Sequence, residues 1–192
     1  MKKTLFISIL LLIFSYSFGQ KPNMNTNNNS SSENFTTKID EFTESKNVTQ
    51  NVPLPLFQKD FSYVISYLNK IDDKVYCYFA FSENSTDILC LNSESKAMIK
   101  LDNGDVLTLN YLGDIECDKA VKFLTILTDD CVNQLSKHEI NKIRFYTTKG
   151  YLDFELYDLV PKNYINKRTC KPFIGKNPKL VFMELTEEIS KL

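Results

Sequence analysis

Between Lys142 and Tyr157 the chain alternates apolar and polar residues with a period of two. Ile143, Phe145 and Thr147 fall on one side, and Lys142, Arg144 and Tyr146 on the other. After Lys149-Gly150, Leu152, Phe154 and Leu156 alternate with Tyr151, Asp153, Glu155 and Tyr157. A pleated strand puts successive side chains on opposite faces, so the stretch predicts a hairpin with one buried face. A two-residue loop places Phe145 opposite Phe154 and Ile143 opposite Leu156 in the core. It also places Arg144 opposite Glu155 on the wet face. A slip of one residue would expose both phenylalanines, which specifies the pairing well.

Further strands follow the same logic. Val75 to Phe81 is rich in aromatic and β-branched residues, with a strand expected before it at Phe61 to Leu68 and a turn near Asp72-Asp73. Asp87 to Leu91 is a short apolar run and Ala120 to Leu127 a longer one. Asn103-Gly104 lies between apolar runs and suits a type I′ turn, pairing Leu101 with Val106 and Ile99 with Thr108. Thr128 is an expected N-cap, with Asp129 and Asp130 in the first turn, Lys137 in the last, and Val132 and Leu135 buried. Asn177 and Pro178 open a second helix, whose Phe182, Leu185, Ile189 and Leu192 form one apolar stripe. These elements predict a mostly-β or α+β fold. It is an antiparallel sheet or sandwich with one short internal helix and a C-terminal helix packed on it.

The N-terminus reads as an address. Lys2 and Lys3 precede the apolar run Leu5 to Phe14, and Ser17-Phe18-Gly19 offers a small-x-small exit. That is the pattern of a secretory signal peptide over residues 1–19. The run is too short to span a bilayer, which needs about 20 residues. Gln20 follows the expected cut; a lipid-anchored bacterial protein carries Cys there. Periplasmic or secreted placement is therefore expected, with no transmembrane segment after cleavage. Residues 20–51 are polar and repetitive, and are expected to be a disordered Asn/Ser/Thr-rich leader. Val52-Pro53-Leu54-Pro55-Leu56 marks the edge of a single β-rich domain over 52–192.

The formal charge of −1 becomes about −3 without Lys2 and Lys3. Such a balance lacks the cation excess that nucleic-acid binding needs, so no nucleic-acid partner is expected. All five cysteines, Cys77, Cys90, Cys117, Cys131 and Cys170, follow the signal. In an oxidising compartment some can pair, and the odd count leaves at least one thiol free or paired between chains. Buried cysteines acting as small hydrophobes are an equal alternative. Their spacing includes no C-x-x-C pair, which argues against a metal site.

Catalytic motifs are missing. His138 is the single histidine, and His138-Glu139 has no second His four residues on. Cys131 and His138 are separated by about 10.5 Å of helical rise, too far for a dyad. Cys131 in a first helical turn faces two adjacent carboxylates that oppose thiolate formation. The pairs Asp72-Asp73 and Asp129-Asp130, with Asp102, Asp105, Asp153 and Glu155, have simpler roles as turn formers, caps and solvated faces. No phosphate loop, dinucleotide fingerprint, nucleophile elbow or calcium loop is present, and no cofactor is expected.

Two surface features remain. Pro161 to Lys179 carries Lys162, Lys167, Arg168, Lys171, Lys176 and Lys179 without an acid. A long irregular basic segment can meet an acidic protein or an anionic envelope component. Tyr76 and Tyr78 share one strand face, and Tyr63 and Tyr67 share another. Tyrosine supplies contact area and a polar tip at low entropic cost, which suits recognition if these rings reach the surface. Burial or half-burial is the simpler expectation for them. Lys162, Lys167, Arg168, Lys171, Tyr76 and Tyr78 are the candidate binding residues.

Lys96 to Leu156 resembles uncharacterised exported proteins of Gram-negative bacteria. The residues concerned are Ile99-Lys100-Leu101-Asp102-Asn103-Gly104, a strand running into the Thr128 helix, and Ile143-Arg144-Phe145-Tyr146-Thr147-Thr148-Lys149-Gly150-Tyr151. The resemblance implies a small β-rich domain and assigns no catalytic residue. The reading that follows is an exported, non-catalytic binding or interaction domain of the cell envelope. Its rival is a small periplasmic or secreted hydrolase using scattered carboxylates or a free Cys.

Overall fold

A computed structural model describes residues 32–59, 62–83, 88–162 and 171–192. The signal-like segment and the Asn-rich tract before residue 32 lie outside them. The strands are β1 (Phe35–Ile39), β2 (Lys46–Gln50), β3 (Leu54–Lys59), β4 (Ser62–Ile71), β5 (Lys74–Ser82) and β6 (Leu89–Leu91). They continue with β7 (Lys96–Leu101), β8 (Val106–Asn110), β9 (Glu116–Asp118), β10 (Ala120–Leu127), β11 (Ile140–Thr147) and β12 (Gly150–Glu155). The helices are α1 (Asp129–Leu135) and α2 (Pro178–Lys191). The fold is mostly β, antiparallel throughout, with one internal and one C-terminal helix, as the patterning predicts.

The larger sheet runs β1-β2-β4-β5-β10, with β3 also on β4. β2 pairs with Asn69–Ile71 and β3 with Ser62–Ser66, so the two lie end to end along one edge of β4. The second sheet runs β12-β11-β7-β8. Just past β8, Leu112 N donates to Leu124 O on β10 (2.9 Å). Just past β12, Tyr157 N donates to Leu56 O on β3 (3.1 Å). These two bonds join the sheets at both edges, so eight strands close around one core.

That core is aromatic. Phe79 and Phe81 from β5, Phe123 from β10 and Phe145 from β11 are fully buried, with Phe154 from β12 beside them. Phe145 stacks on Phe81 with ring centroids 4.0 Å apart and meets Phe79 and Phe123 at 5.6 Å. The helices close one end, where Phe182 of α2 stacks on Phe79. Lys46 Nζ and Lys70 Nζ donate to the backbone oxygens of Leu192 and Ser190, the acceptors a helix leaves unsatisfied at its C-terminus. The caps stand where expected: Thr128 Oγ1 accepts from Cys131 N, and Asn177 Oδ1 from Lys179 N. Lys137 falls outside the last turn, because α1 ends at Leu135 with Ser136 as its C-cap. At the other end β6 pairs with β9, and a disulfide joins the opposed Cys90 and Cys117.

Three expectations need correction. The leader does not extend to residue 51, because β1 and β2 form a hairpin within it. Phe35 and Val48 anchor that hairpin in the core, and Gln50 is buried with its Oε1 accepting from Leu68 N at 2.8 Å. Composition averaged over the whole stretch hides these few anchors. Next, β8 sits one residue away from the expected register, with Ile99 opposite Leu107 and Lys100 opposite Val106. Asn103 does not take positive φ; Gly104 alone does, at 93°, and Leu101 N donates to Asp105 O across a three-residue loop. The shift turns Leu107 and Leu109 toward the core and leaves Val106 half exposed. Finally, β12 is displaced by two residues, pairing Phe145 with Leu152, Ile143 with Phe154 and Arg144 with Asp153. The loop is Thr148-Lys149, and Gly150 at φ 143° is the first residue of β12. A two-residue displacement preserves which face is buried, so the alternation survives although the partners change.

Phe145→Ala is expected to cost about 3–5 kcal/mol in urea unfolding, while Phe42→Ala, at a 96% exposed position, changes stability by less than about 0.5 kcal/mol. The Cys90–Cys117 bond closes a separation of 27 residues. Replacing both cysteines with Ser is expected to lower stability by about 2–4 kcal/mol, and reductant should shift the midpoint of the native protein alone.

Candidate recognition surfaces

Alternation along β4 sends Val64, Ser66 and Leu68 inward and Tyr63, Ile65 and Tyr67 outward. On β5 Cys77, Phe79 and Phe81 are in the core, so Tyr76, Tyr78 and Ala80 face out. Tyr67 lies opposite Tyr78, and Tyr76 opposite Asn69. The two tyrosine pairs read separately from the sequence therefore share one outer face. The Tyr67 and Tyr78 rings meet edge to face at 6.5 Å. On β10, Leu124 and Ile126 extend the surface as the partners of Tyr78 and Tyr76. Tyr78 is buried, while Tyr63, Tyr67 and Tyr76 are half-buried. Burial pushes the Tyr67 and Tyr78 hydroxyls up to about 12 and raises those of Tyr63 and Tyr76. The face is thus ring-lined and tipped with hydroxyl groups, with the exposed Lys122 of β10, opposite Ala80, at its margin.

The basic segment is described only in part. Lys162, Lys171 and Lys176 are exposed, while Lys167, Arg168 and Cys170 lie outside the described residues. Lys179 is not available to a ligand in the same way, since its Nζ donates to Asp158 at 2.9 Å and its side chain is mostly covered. Among the described residues, no hydrogen bond or ion pair joins Lys162, Lys171 or Lys176 to Tyr76.

The groups considered for catalysis are dispersed. His138 follows α1 at the surface, and its Nδ1 lies 3.1 Å from Asp102 Oδ1 in the β7–β8 turn. Cys77 is fully buried and its thiol is raised by that burial, which disfavours the nucleophilic thiolate. Cys131 is partly buried in the first turn of α1. Among the described residues, no three His, Cys, Asp or Glu side chains gather as metal ligands do. No helix among them is long and apolar enough to cross a membrane.

The outer face of the second sheet carries an arrangement that sequence reasoning missed. Arg144 donates from Nε to Asp153 Oδ1 (2.6 Å) and from Nη2 to Asp153 Oδ2 (2.7 Å). Lys142 Nζ lies 3.0 Å from the same carboxylate. The guanidinium also covers one side of the Tyr151 ring at 4.1 Å. Beside it, Lys96 Nζ stands 5.1 Å from the Tyr146 ring centre. At this end of the sheet a 270 Å³ cleft opens among Asn92, Glu94, Ser95, Lys96, Tyr146 and Thr148. The polar run Asn92 to Ser95 signals a turn in sequence, but its meeting with Thr148 is a product of tertiary structure.

No family model and no curated protein matches the chain.

Arg144, aided by Lys142, holds the Asp153 carboxyl down at about 2 against the opposing effect of burial. A lowered carboxylate stabilises the fold above its unfolded value, about 3.9, and the contribution is lost as pH falls through about 2. Asp153→Asn should therefore be less stable than the native protein near neutral pH. The gap should close progressively below about pH 4, as urea midpoints measured across pH will show.

Proposed function

We propose that this chain is an exported, non-catalytic binding domain of the cell envelope, periplasmic or secreted, that recognises a partner through the tyrosine face of β4 and β5. The observation that carries this reading is the composition of that face. An antiparallel sheet with one wet side ordinarily places polar and charged residues there. Here Tyr63, Ile65, Tyr67, Tyr76, Leu124 and Ile126 occupy most of it, half-buried, with Lys122 the charged residue among these outward positions. Rings with a polar tip are the side chains enriched in the cores of interfaces.

Export is supported by the basic, apolar and small-residue order of Lys2 to Gly19. The Cys90–Cys117 bond fits the same reading, since disulfides persist in oxidising compartments. The exposed Lys162 and Lys171, with Lys167 and Arg168 between them in sequence, offer a second contact for an acidic protein or an anionic envelope component. Among the described residues, His138, Cys77 and Cys131 do not gather with acidic side chains into one cluster, which favours the binding reading over the rival hydrolase.

The test is a pull-down from envelope extract with the chain from Gln20 onward as bait. Two variants are compared with it: Tyr63→Ser with Tyr76→Ser, and Lys162, Lys167, Arg168 and Lys171 changed together to Ser. Near-UV circular dichroism checks that both remain folded. A partner retained by the native domain and lost by the tyrosine variant is the expected result. Loss by the basic variant as well would add that segment to the contact. Equal retention by all three, or no retained partner, overturns the assignment.

A further inference from the structure

We infer that the cleft at the disulfide end of the second sheet is a binding site for a neutral saccharide, with Tyr151 as its stacking platform. The cleft lies on a different sheet from the tyrosine face, so this inference stands or falls independently of the one above.

The first argument is the polar lining. Asn92 Oδ1 is occupied, accepting from Glu94 N (3.1 Å) and Ser95 Oγ (3.2 Å). That fixes the amide and leaves its Nδ2 donor without a partner among the described residues. The Glu94 carboxylate, the Lys96 ammonium and the Thr148 hydroxyl likewise have no hydrogen-bond partner among them. Amide, carboxylate, ammonium and hydroxyl groups around one small opening offer donors and acceptors together. Glu94 balances Lys96, so the cleft has no net charge from its own ionised groups. A phosphate or sulfate would meet the Glu94 carboxylate. A polyol, whose every hydroxyl both donates and accepts, is matched by the whole set.

The second argument is the aromatic platform. Tyr151 is 57% exposed, yet it is not loose. Arg144 covers one side of its ring, and Asp153 locks Arg144 through two bonds. The ring is therefore held in place with its other side toward solvent. Tyr146 stands next to it at 6.1 Å and forms part of the cleft wall. Aromatic rings bind the C–H face of a pyranose, and the chain has no Trp to serve that purpose.

The third argument is preorganisation. Ser95 N donates to Asn92 O (2.9 Å), Asn92 N to Ser95 Oγ (3.0 Å), and Tyr111 N to Ser95 O (3.1 Å). Across the opening, Thr148 N donates to Cys90 O (3.0 Å). Both rims are thus fixed before a ligand arrives, which lowers the entropic cost of binding. A volume of 270 Å³ lies just below the usual range for drug-sized ligands, about 300–1,000 Å³. It suits one sugar unit, which reaches past the Tyr146 wall to the Tyr151 ring.

The experiment is a nitrogen-15 NMR titration of the chain from Gln20 onward. The probes are glucose, galactose, mannose and N-acetylglucosamine with their short oligomers, and inorganic phosphate at matched ionic strength. At least one neutral saccharide is expected to give saturable shifts confined to Asn92–Lys96 and Tyr146–Tyr151, with millimolar affinity. Tyr151→Ala should weaken it by about tenfold, Glu94→Ala should also weaken it, and Tyr151→Phe should preserve it. Both positions are exposed, and the unshifted resonances report that the variants are folded. Silence from every saccharide overturns the proposal. So does a response to phosphate alone, or a saccharide response that Tyr151→Ala leaves unchanged.

Discussion

Phe145 is the residue on which the two sheets depend. It stacks on Phe81 and meets Phe79, Phe123 and Phe154, so a single ring from β11 touches β5, β10 and β12. Aromatic pairs add about 0.5–1.5 kcal/mol each beyond the area they bury, and here several share one member. Among the described residues the seams between the sheets are thin, a single backbone bond at Leu112 and another at Tyr157, where the Tyr157 hydroxyl also donates to Gln58 O. Side-chain packing across the interior must therefore hold the sheets together. The same packing has a functional consequence: rings fill the space between the two sheets, which directs recognition to their outer faces and their ends.

Those outer faces differ in chemistry although the strand geometry is the same. Over β4, β5 and β10 the outward positions hold Tyr63, Tyr67, Tyr76, Leu124 and Ile126. Over β11 and β12 they hold Lys142, Arg144, Asp153 and Glu155. An exposed ion pair stabilises a fold by little, about 0–1 kcal/mol. The value of the Arg144–Asp153 pair is positional, because it fixes the guanidinium against Tyr151. One sheet thus offers a largely aromatic and apolar area suited to a broad contact, and the other a fixed ring beside a small polar opening.

The strands from β4 to β8, those from β10 to β12 and both helices were legible because each carries a local signal. Alternation marks β5, β10, β11 and β12, and Thr128 and Asn177 mark the helix starts. Registers were less legible. Asn103-Gly104 allows two loop lengths, and the choice rests on the burial of Leu107 and Leu109 against a sheet that the hairpin itself does not contain. At Thr148-Lys149-Gly150 the two possible pairings bury the same face, so local pattern cannot separate them. The hairpin of β1 and β2 escaped notice because Phe35 and Val48 are isolated among polar residues and become core only against the rest of the fold. The tyrosines were visible in sequence, but their union on one face required the pairing of β4 with β5. The cleft was not legible at all, since Asn92 and Thr148 are distant in sequence and meet only in the folded chain.

The disulfide end of the fold draws these threads together. β6 is three residues long and pairs only with the equally short β9, too little for an independent sheet. Leu89 and Leu91 are buried, yet two apolar anchors and three pairs of residues leave such a short segment prone to open. The Cys90–Cys117 bond removes that freedom, and the bond from Thr148 N to Cys90 O ties the β11–β12 loop to the same point. The Asn92–Ser95 turn continues directly from β6, so its position is inherited from the disulfide. Covalent closure therefore acts on the geometry of the cleft as well as on stability. Opening it should loosen the rim formed by Asn92 and Thr148 while the Phe145 cluster, anchored on β5, β10, β11 and β12, remains packed.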